Sequence, residues 1–244
     1  MNETIVDQQY WDSGYEKTRL EPSTKDDPVR CWLEKHIPLS QGTALELGCF
    51  PGRYLVVLAM LGYEVHGIDL TPRIQTELKD WLLANGCRAG EFIRADVTTH
   101  VFEKKYDVVC SFGLIEHFTN WKELLVAHAR LVKSGGVLAV STPNFRGFIQ
   151  QSLHQFLDSK NLSMHNLDAM DPKQWADIIQ PLGFEIISAG YFGGFDFWVG
   201  AEDRNLLQRG IIRLIREASP ILGSLLPSRI SAYSAYCGLI ARRL

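Results

Sequence analysis

The 244 residues suffice for one large domain or two small ones, and 46% apolar with 22% charged residues is the balance of an ordinary globular chain. A net charge of −3 gives no electrostatic reason to expect nucleic acid or an anionic membrane as a partner. The five cysteines (Cys31, Cys49, Cys87, Cys110 and Cys237) are widely spaced and form no CxxC pair, which argues against a disulfide framework or a zinc site.

In chain order, the opening MNETIVDQQYWDSGYEK is polar and acidic, so no signal peptide is expected. No run approaches the roughly 20 apolar residues that span a bilayer, and the expectation is a soluble cytoplasmic protein with thiols kept reduced. Residues 1–40 read as a partly helical extension, with a helix over Pro28–His36. From Thr43 onward short β-type runs alternate with helical stretches, the pattern of a parallel sheet with crossover helices. Strands are predicted at Ala44–Leu47, Glu64–Ile68, Glu91–Arg94, Tyr106–Ser111 and Val137–Ser141, and helices at Tyr54–Met60, Pro72–Ala84 and Trp121–Val132. The helices stop at Gly62, Asn85-Gly86 and Gly135-Gly136. Periodicity then lapses from Asn144 to about Asp168. It returns as a helix over Pro172–Pro181 capped by Asp171, a strand over Phe184–Gly190, a helix over Arg204–Glu217 and a last strand over Ser234–Arg242. This gives one α/β domain, residues 1–244, with an insertion at about 144–170.

The stretch ALELGCFPGRYL joins a strand to a helix through Gly48 and Gly52. Such a turn aims backbone N–H groups and a helix N-terminus at a ligand. The dinucleotide fingerprint GxGxxG is absent, yet Asp69 ends the next strand about twenty residues on, where a carboxylate can hold both hydroxyls of a ribose. Asp96, in FIRADV, ends the third strand and is a candidate for an adenine amine, with a turn-forming role as the alternative. Asp107 opens the fourth strand and reads as structural.

The series ELGCFPG, GID, RADV, YDVVCSFGLIEHF and LVKSGGVLAVSTPN resembles the class I S-adenosylmethionine-dependent methyltransferases, most of all the branch acting on small molecules. The resemblance implies a Rossmann-like, doubly wound, seven-stranded sheet, mostly parallel with an antiparallel last strand. It also implies S-adenosyl-L-methionine as cofactor. Glu46 would contact the turn or ligand, and Gly48, Cys49, Phe50 and Gly52 would form the turn. Asp69 with Leu70 would take the ribose, Asp96 with Val97 the adenine, and Phe112 with Gly113 the region near the sulfonium. The chain departs from that pattern at Phe50, where a middle glycine is usual. Phe50 is therefore expected in a β or α conformation, beside the cofactor rather than under it, packing near its edge or on the N-terminal segment.

Methyl transfer needs a positioned nucleophile and often the loss of one proton. His117, in LIEHF, is the first candidate for a base or positioning group, because an ordinary imidazole titrates near neutrality. His165 is the second. Glu116, next to His117, would orient a substrate or cap a helix. No HExxH or other metal pattern occurs, and adjacency argues against Glu116 and His117 sharing one ion. The aromatic stretch Tyr191–Trp198, with Tyr10, Trp11 and Tyr15, offers walls for a flat acceptor or else a secondary core. The stretch IIRLIREASPILGSLL is read as a helix packed on the sheet, and membrane contact is not expected. The function that follows is methylation of an oxygen or nitrogen of a small molecule, a sugar or other specialised metabolite. The alternatives are an NAD-dependent oxidoreductase or epimerase, or a non-catalytic cofactor-binding protein of the same fold. The sequence leaves the oligomeric state open.

Overall fold

The computed structural model describes residues 4–200 and 203–244, so the first three residues of the expected extension lie outside the described part. In chain order the elements are α1 (Gln8–Tyr15), α2 (Pro28–His36), β1 (Thr43–Leu47), α3 (Arg53–Met60), β2 (Glu64–Asp69), α4 (Lys79–Ala84) and β3 (Ala89–Arg94). There follow β4 (Tyr106–Phe112), α5 (Trp121–Arg130), β5 (Val132–Pro143), α6 (Phe148–Leu157), α7 (Ser159–Ser163) and α8 (Pro172–Ile179). The chain ends with β6 (Phe184–Phe195), α9 (Leu206–Leu225) and β7 (Ser234–Arg243).

The seven strands form one sheet in the order β3-β2-β1-β4-β5-β7-β6. Strands β1 to β5 pair in parallel, and β7 runs antiparallel to both β5 and β6. The expected antiparallel last strand is therefore present. Because β6 and β5 both oppose β7, the carboxyl ends of all strands except β7 lie along one edge. Two apolar layers cover the faces: one gathers α5 and α8 around Trp175 and Leu125, the other α2 and α3 around Leu33 and Leu55. The amino-terminal edge is tied by Asp107, whose carboxylate accepts from Thr43 N at 2.8 Å, Thr43 Oγ1 and Lys133 Nζ. Its role is structural, as expected.

Side-chain caps set the helix starts where the sequence placed them. Asp171 accepts from Lys173 N and Gln174 N ahead of Pro172, and Asp27 does the same for α2 ahead of Pro28. Three expectations need correction. The helix expected over Pro72–Ala84 opens as a π turn, Ile74–Leu78, before α4. Its wider turn keeps Ile74, Leu78 and Leu82, four apart, in line on the core. The helix expected over Arg204–Glu217 starts later and runs further, because Asn205 and Gln208 form a reciprocal capping box. The stretch expected to be irregular, Asn144 to Asp168, contains α6 and α7. Its amphipathic pattern is inverted: Gln150 and His154 are buried while Phe148 and Phe156 are exposed. Gln150 Nε2 satisfies the carbonyls of Asp196 and Tyr233, which explains a polar side chain in the interior.

Candidate active site

At the carboxyl edge, β1 is followed by Gly48, whose φ of +68° suits glycine. A Cβ there would stand 2.8 Å from Leu114 Cδ1. The turn is pinned to β2, since Gly48 N and Cys49 N both donate to the carbonyl of Ile68. Asp69 completes the junction: Oδ2 accepts from Phe50 N at 3.1 Å and Oδ1 from Thr71 N at 3.0 Å. Burial raises the Asp69 pKa above the ordinary value, with those N–H groups opposing the rise.

The N-terminal segment crosses this edge. Ile5 N donates to the His117 carbonyl, and Arg73 Nη1 donates to the carbonyls of Tyr15 and Thr18. Phe50 lies between, its ring 4.7 Å from that of Tyr15 and 4.8 Å from the Arg73 guanidinium carbon. It is not in the left-handed region, and it stands beside the cavity against the N-terminal segment, as expected. Trp11 meets His117 edge-on with ring centres 4.8 Å apart.

These elements enclose a cavity of about 420 Å³. Of the residues singled out from sequence, Gly48, Phe50, Asp69, Leu70, Asp96, Val97, Phe112, Gly113 and His117 line it, and so do Trp11 and Tyr15. Asp96 also forms its turn, with Oδ1 accepting from Thr98 N and Thr98 Oγ1, which is the turn-forming alternative read from sequence. Glu46, Cys49 and Gly52 support the turn from behind. Glu46 is buried with Oε2 unpartnered, and burial pushes its pKa well up. Cys49 packs on Gly67, and Gly52 begins α3 against Leu78. The wall residues missed from sequence include Thr4, Val6 and Gln8, which carry no motif and reach the cavity only because the extension folds back.

The aromatic stretch Tyr191–Trp198 contributes nothing to this wall. Phe192 stacks on Trp32, Trp198 stacks on Tyr236, and Phe195 with Phe197 joins a separate small core under α9. It is a secondary core rather than an acceptor wall.

Beyond the cavity floor the structure brings Glu116, His117 and His165 together. One ligand-type atom from each lies within 4.8 Å of the others. The His117 and His165 rings are 4.6 Å apart. With the neutral rings protonated at Nδ1, His117 donates to Met164 O at 3.0 Å and His165 to Asn161 O at 2.7 Å, which leaves Nε2 of each as the acceptor, that of His117 4.0 Å from Glu116 Oε1. Burial lowers the His117 pKa to about 3, helped by His165, and lowers that of His165 to about 4. Glu116 is fully buried with neither carboxylate oxygen partnered, and burial raises its pKa to about 8. Burial thus moves the His117 imidazole below the ordinary range from which its reading as a base or positioning group is argued.

Residues 20–189 match the profile of a methyltransferase domain. The chain belongs to this methyltransferase family. A ubiquinone biosynthesis O-methyltransferase of Burkholderia multivorans is 32% identical over 137 residues, 55% of this chain and 58% of that protein. The chain thus matches little more than half the length of such curated relatives. A SAM-dependent methyltransferase from Archaeoglobus fulgidus superposes with a TM-score of 0.59 at 20% identity, covering 96% of this chain and 100% of the other. Magnesium protoporphyrin IX methyltransferase from Synechocystis, solved with bound SAH, gives 0.54 at 16% identity, covering 97% and 94%. These two likenesses establish the Rossmann-like methyltransferase fold. The antiparallel seventh strand inserted between β5 and β6 also separates this family member from the dinucleotide-binding order 3-2-1-4-5-6.

Proposed function

We propose that the chain transfers a methyl group from S-adenosyl-L-methionine to an oxygen or nitrogen of a small molecule. The observation that carries this reading is Asp69, which braces the glycine turn through Phe50 N and faces the same cavity as Asp96. The residues fit the cofactor. Gly48 takes a left-handed φ in which an added Cβ would strike Leu114 and distort the turn lining the cavity, and the carboxylates of Asp69 and Asp96 line the same cavity. Gly48 would let the methionine portion pass, Asp69 with Leu70 would take the ribose hydroxyls, Asp96 with Val97 the adenine, and Phe112 with Gly113 would flank the sulfonium. Bound there, the cofactor supplies a methyl carbon whose leaving group is a neutral thioether.

The protein's part is to exclude water, align the acceptor and receive its hydrogen bond. His117, whose ring lines the cavity and is fixed by Met164 O, would serve that task as an acceptor through Nε2. With a pKa of about 3 it positions an O–H or N–H rather than holding a proton at equilibrium. His165 backs the ring, and Glu116, protonated at neutrality, adds no charge beside it. Residues 144–170 form part of an acceptor-site lid, residues 1–40 close the opposite side, and the whole chain acts as one domain. A sugar or other specialised metabolite is the acceptor class. An oxygen acceptor is favoured by the O-methyltransferases among the relatives. A reducing cytoplasm suits the five free cysteines.

Calorimetric titration with S-adenosylmethionine, S-adenosylhomocysteine and NAD tests this reading. Binding of both sulfur compounds and not NAD is expected. NAD binding alone overturns it, and no binding leaves only a non-catalytic member of the fold.

A further inference from the structure

Helix α9 enters from the end of β6 and returns to the start of β7, so it belongs to the edge of the sheet where the cavity opens. It is 20 residues long, about 30 Å, yet Ile212 is its one buried residue. Ile211, Ile215 and Leu222 form the half-buried face that packs on the small core with Phe197. A second apolar stripe faces outward: Leu207, Leu214, Ile221 and Leu225, spaced by seven, seven and four, fall on one side of the helix. Leu214 is 67% exposed, Ile221 62% and Leu225 75%. The other outward flank carries Arg209, Arg213 and Arg216, which line an open groove together with Glu217, whose carboxylate accepts from Arg213 Nε at 2.8 Å. The only acidic residue of the helix is Glu217, so three cations less one anion leave +2 on α9 while the whole chain carries −3.

We propose that α9 lies on the surface of an anionic phospholipid bilayer, with the leucine–isoleucine stripe in the headgroup–acyl boundary and the arginines on lipid phosphates. Charge complementarity decides the occupant. A second copy laid on the stripe would bring a second set of arginines alongside, offset only by Glu217 of each helix. An anionic surface pairs with them, and arginine stems can lie along apolar surface while the heads stay at the phosphates. Because α9 sits on the edge that carries the cavity, such docking holds the site's mouth near the bilayer. Among the described residues no helix is long and apolar enough to cross a membrane, so the contact is in-plane.

Lipid binding and methyl transfer are separable: vesicles read the first, cofactor calorimetry the second. The full chain is sedimented with vesicles of phosphatidylcholine alone or mixed with phosphatidylglycerol, at low and high salt. Binding is expected to the mixed vesicles only, and to weaken with salt. Arg213→Gln with Arg216→Gln should lower the partition roughly 30-fold, at about 1 kcal/mol per cation near such a surface. Leu214→Ser with Ile221→Ser should lower it as well, with melting temperature and cofactor affinity unchanged in both variants. Absence of binding to anionic vesicles overturns the proposal, as does undiminished binding by both variants. A concentration-dependent dimer that Leu214→Ser with Ile221→Ser dissolves assigns the stripe to a second copy instead.

Discussion

The carboxylate of Asp69 accepts the backbone N–H of Phe50 at 3.1 Å, joining the end of β2 to the turn that follows β1. One side chain thereby fixes the shape of the turn and presents charge to the cavity. Asp69→Asn keeps the size but weakens the charge-assisted hydrogen bonds to Phe50 and Thr71. Cofactor affinity should fall by at least about tenfold, corresponding to roughly 1.4 kcal/mol. Calorimetry checks this, and unchanged affinity would remove Asp69 from the site.

Gly48 tests the cradle more severely. Its φ of +68° and the 2.8 Å approach of Leu114 to an added Cβ leave no room for a side chain. Gly48→Val should abolish measurable cofactor binding and also destabilise the turn, by about 1–3 kcal/mol for a strained backbone. Gly86 also has a positive φ but nothing within 4 Å of an added Cβ, so Gly86→Ala supplies the control. It should lose some stability and keep the cofactor.

Phe50 couples the turn to the extension through Tyr15 on one side and Arg73 on the other. Phe50→Ala removes both ring contacts and should free the N-terminal segment without altering the sheet. The expected result is faster proteolytic cleavage within residues 8–20, together with weaker cofactor binding. Cleavage at the wild-type rate would separate Phe50 from the strap.

The parallel strands and the residues at their carboxyl ends were readable because each signal was local: an apolar run, then Gly48, Asp69 or Asp96. Asp171 and Pro172 announced α8 in the same way. Helix α6 escaped because Gln150 and His154 face inward, where Gln150 Nε2 bonds to Asp196 and Tyr233 and His154 Nδ1 to Asp158. Helix α1 escaped because it buries nothing of its own and depends on contacts with Phe50 and His117, distant in sequence. The lowered pKa of His117 has the same origin. An imidazole's ordinary pKa is a property of the residue, whereas its value of about 3 is a property of the enclosure.

That enclosure predicts the pH profile. A His117 base of ordinary pKa would give turnover a rising limb near pH 6.5. With His117 at about 3 and His165 at about 4, no such limb should appear between pH 5 and 7. His117→Ala should lower kcat by about 10²-fold or more with little change in cofactor affinity. His117→Gln, which can still accept a hydrogen bond, should recover part of the loss. A wild-type inflection near pH 6.5 would restore His117 as an equilibrium base.

Glu116 carries the complementary titration. Its folded pKa of about 8 lies above the ordinary 4.5, so between these values the folded state binds a proton that the unfolded state has released. Stability from this group is therefore highest below about pH 4.5 and falls as pH rises toward 8. Glu116→Gln removes the titration while keeping a neutral polar side chain of similar size. The difference in melting temperature, variant minus wild type, should grow between pH 5 and pH 8 by several degrees, since about 1 kcal/mol moves a domain of this size by roughly 2–4 °C. His66, His117, His128 and His165, all with lowered values, act at the acid end and are common to both proteins, so they cancel in the difference. A difference independent of pH would mean that Glu116 is ionised in the folded protein, and its burial without a partner would then need a bound counter-charge.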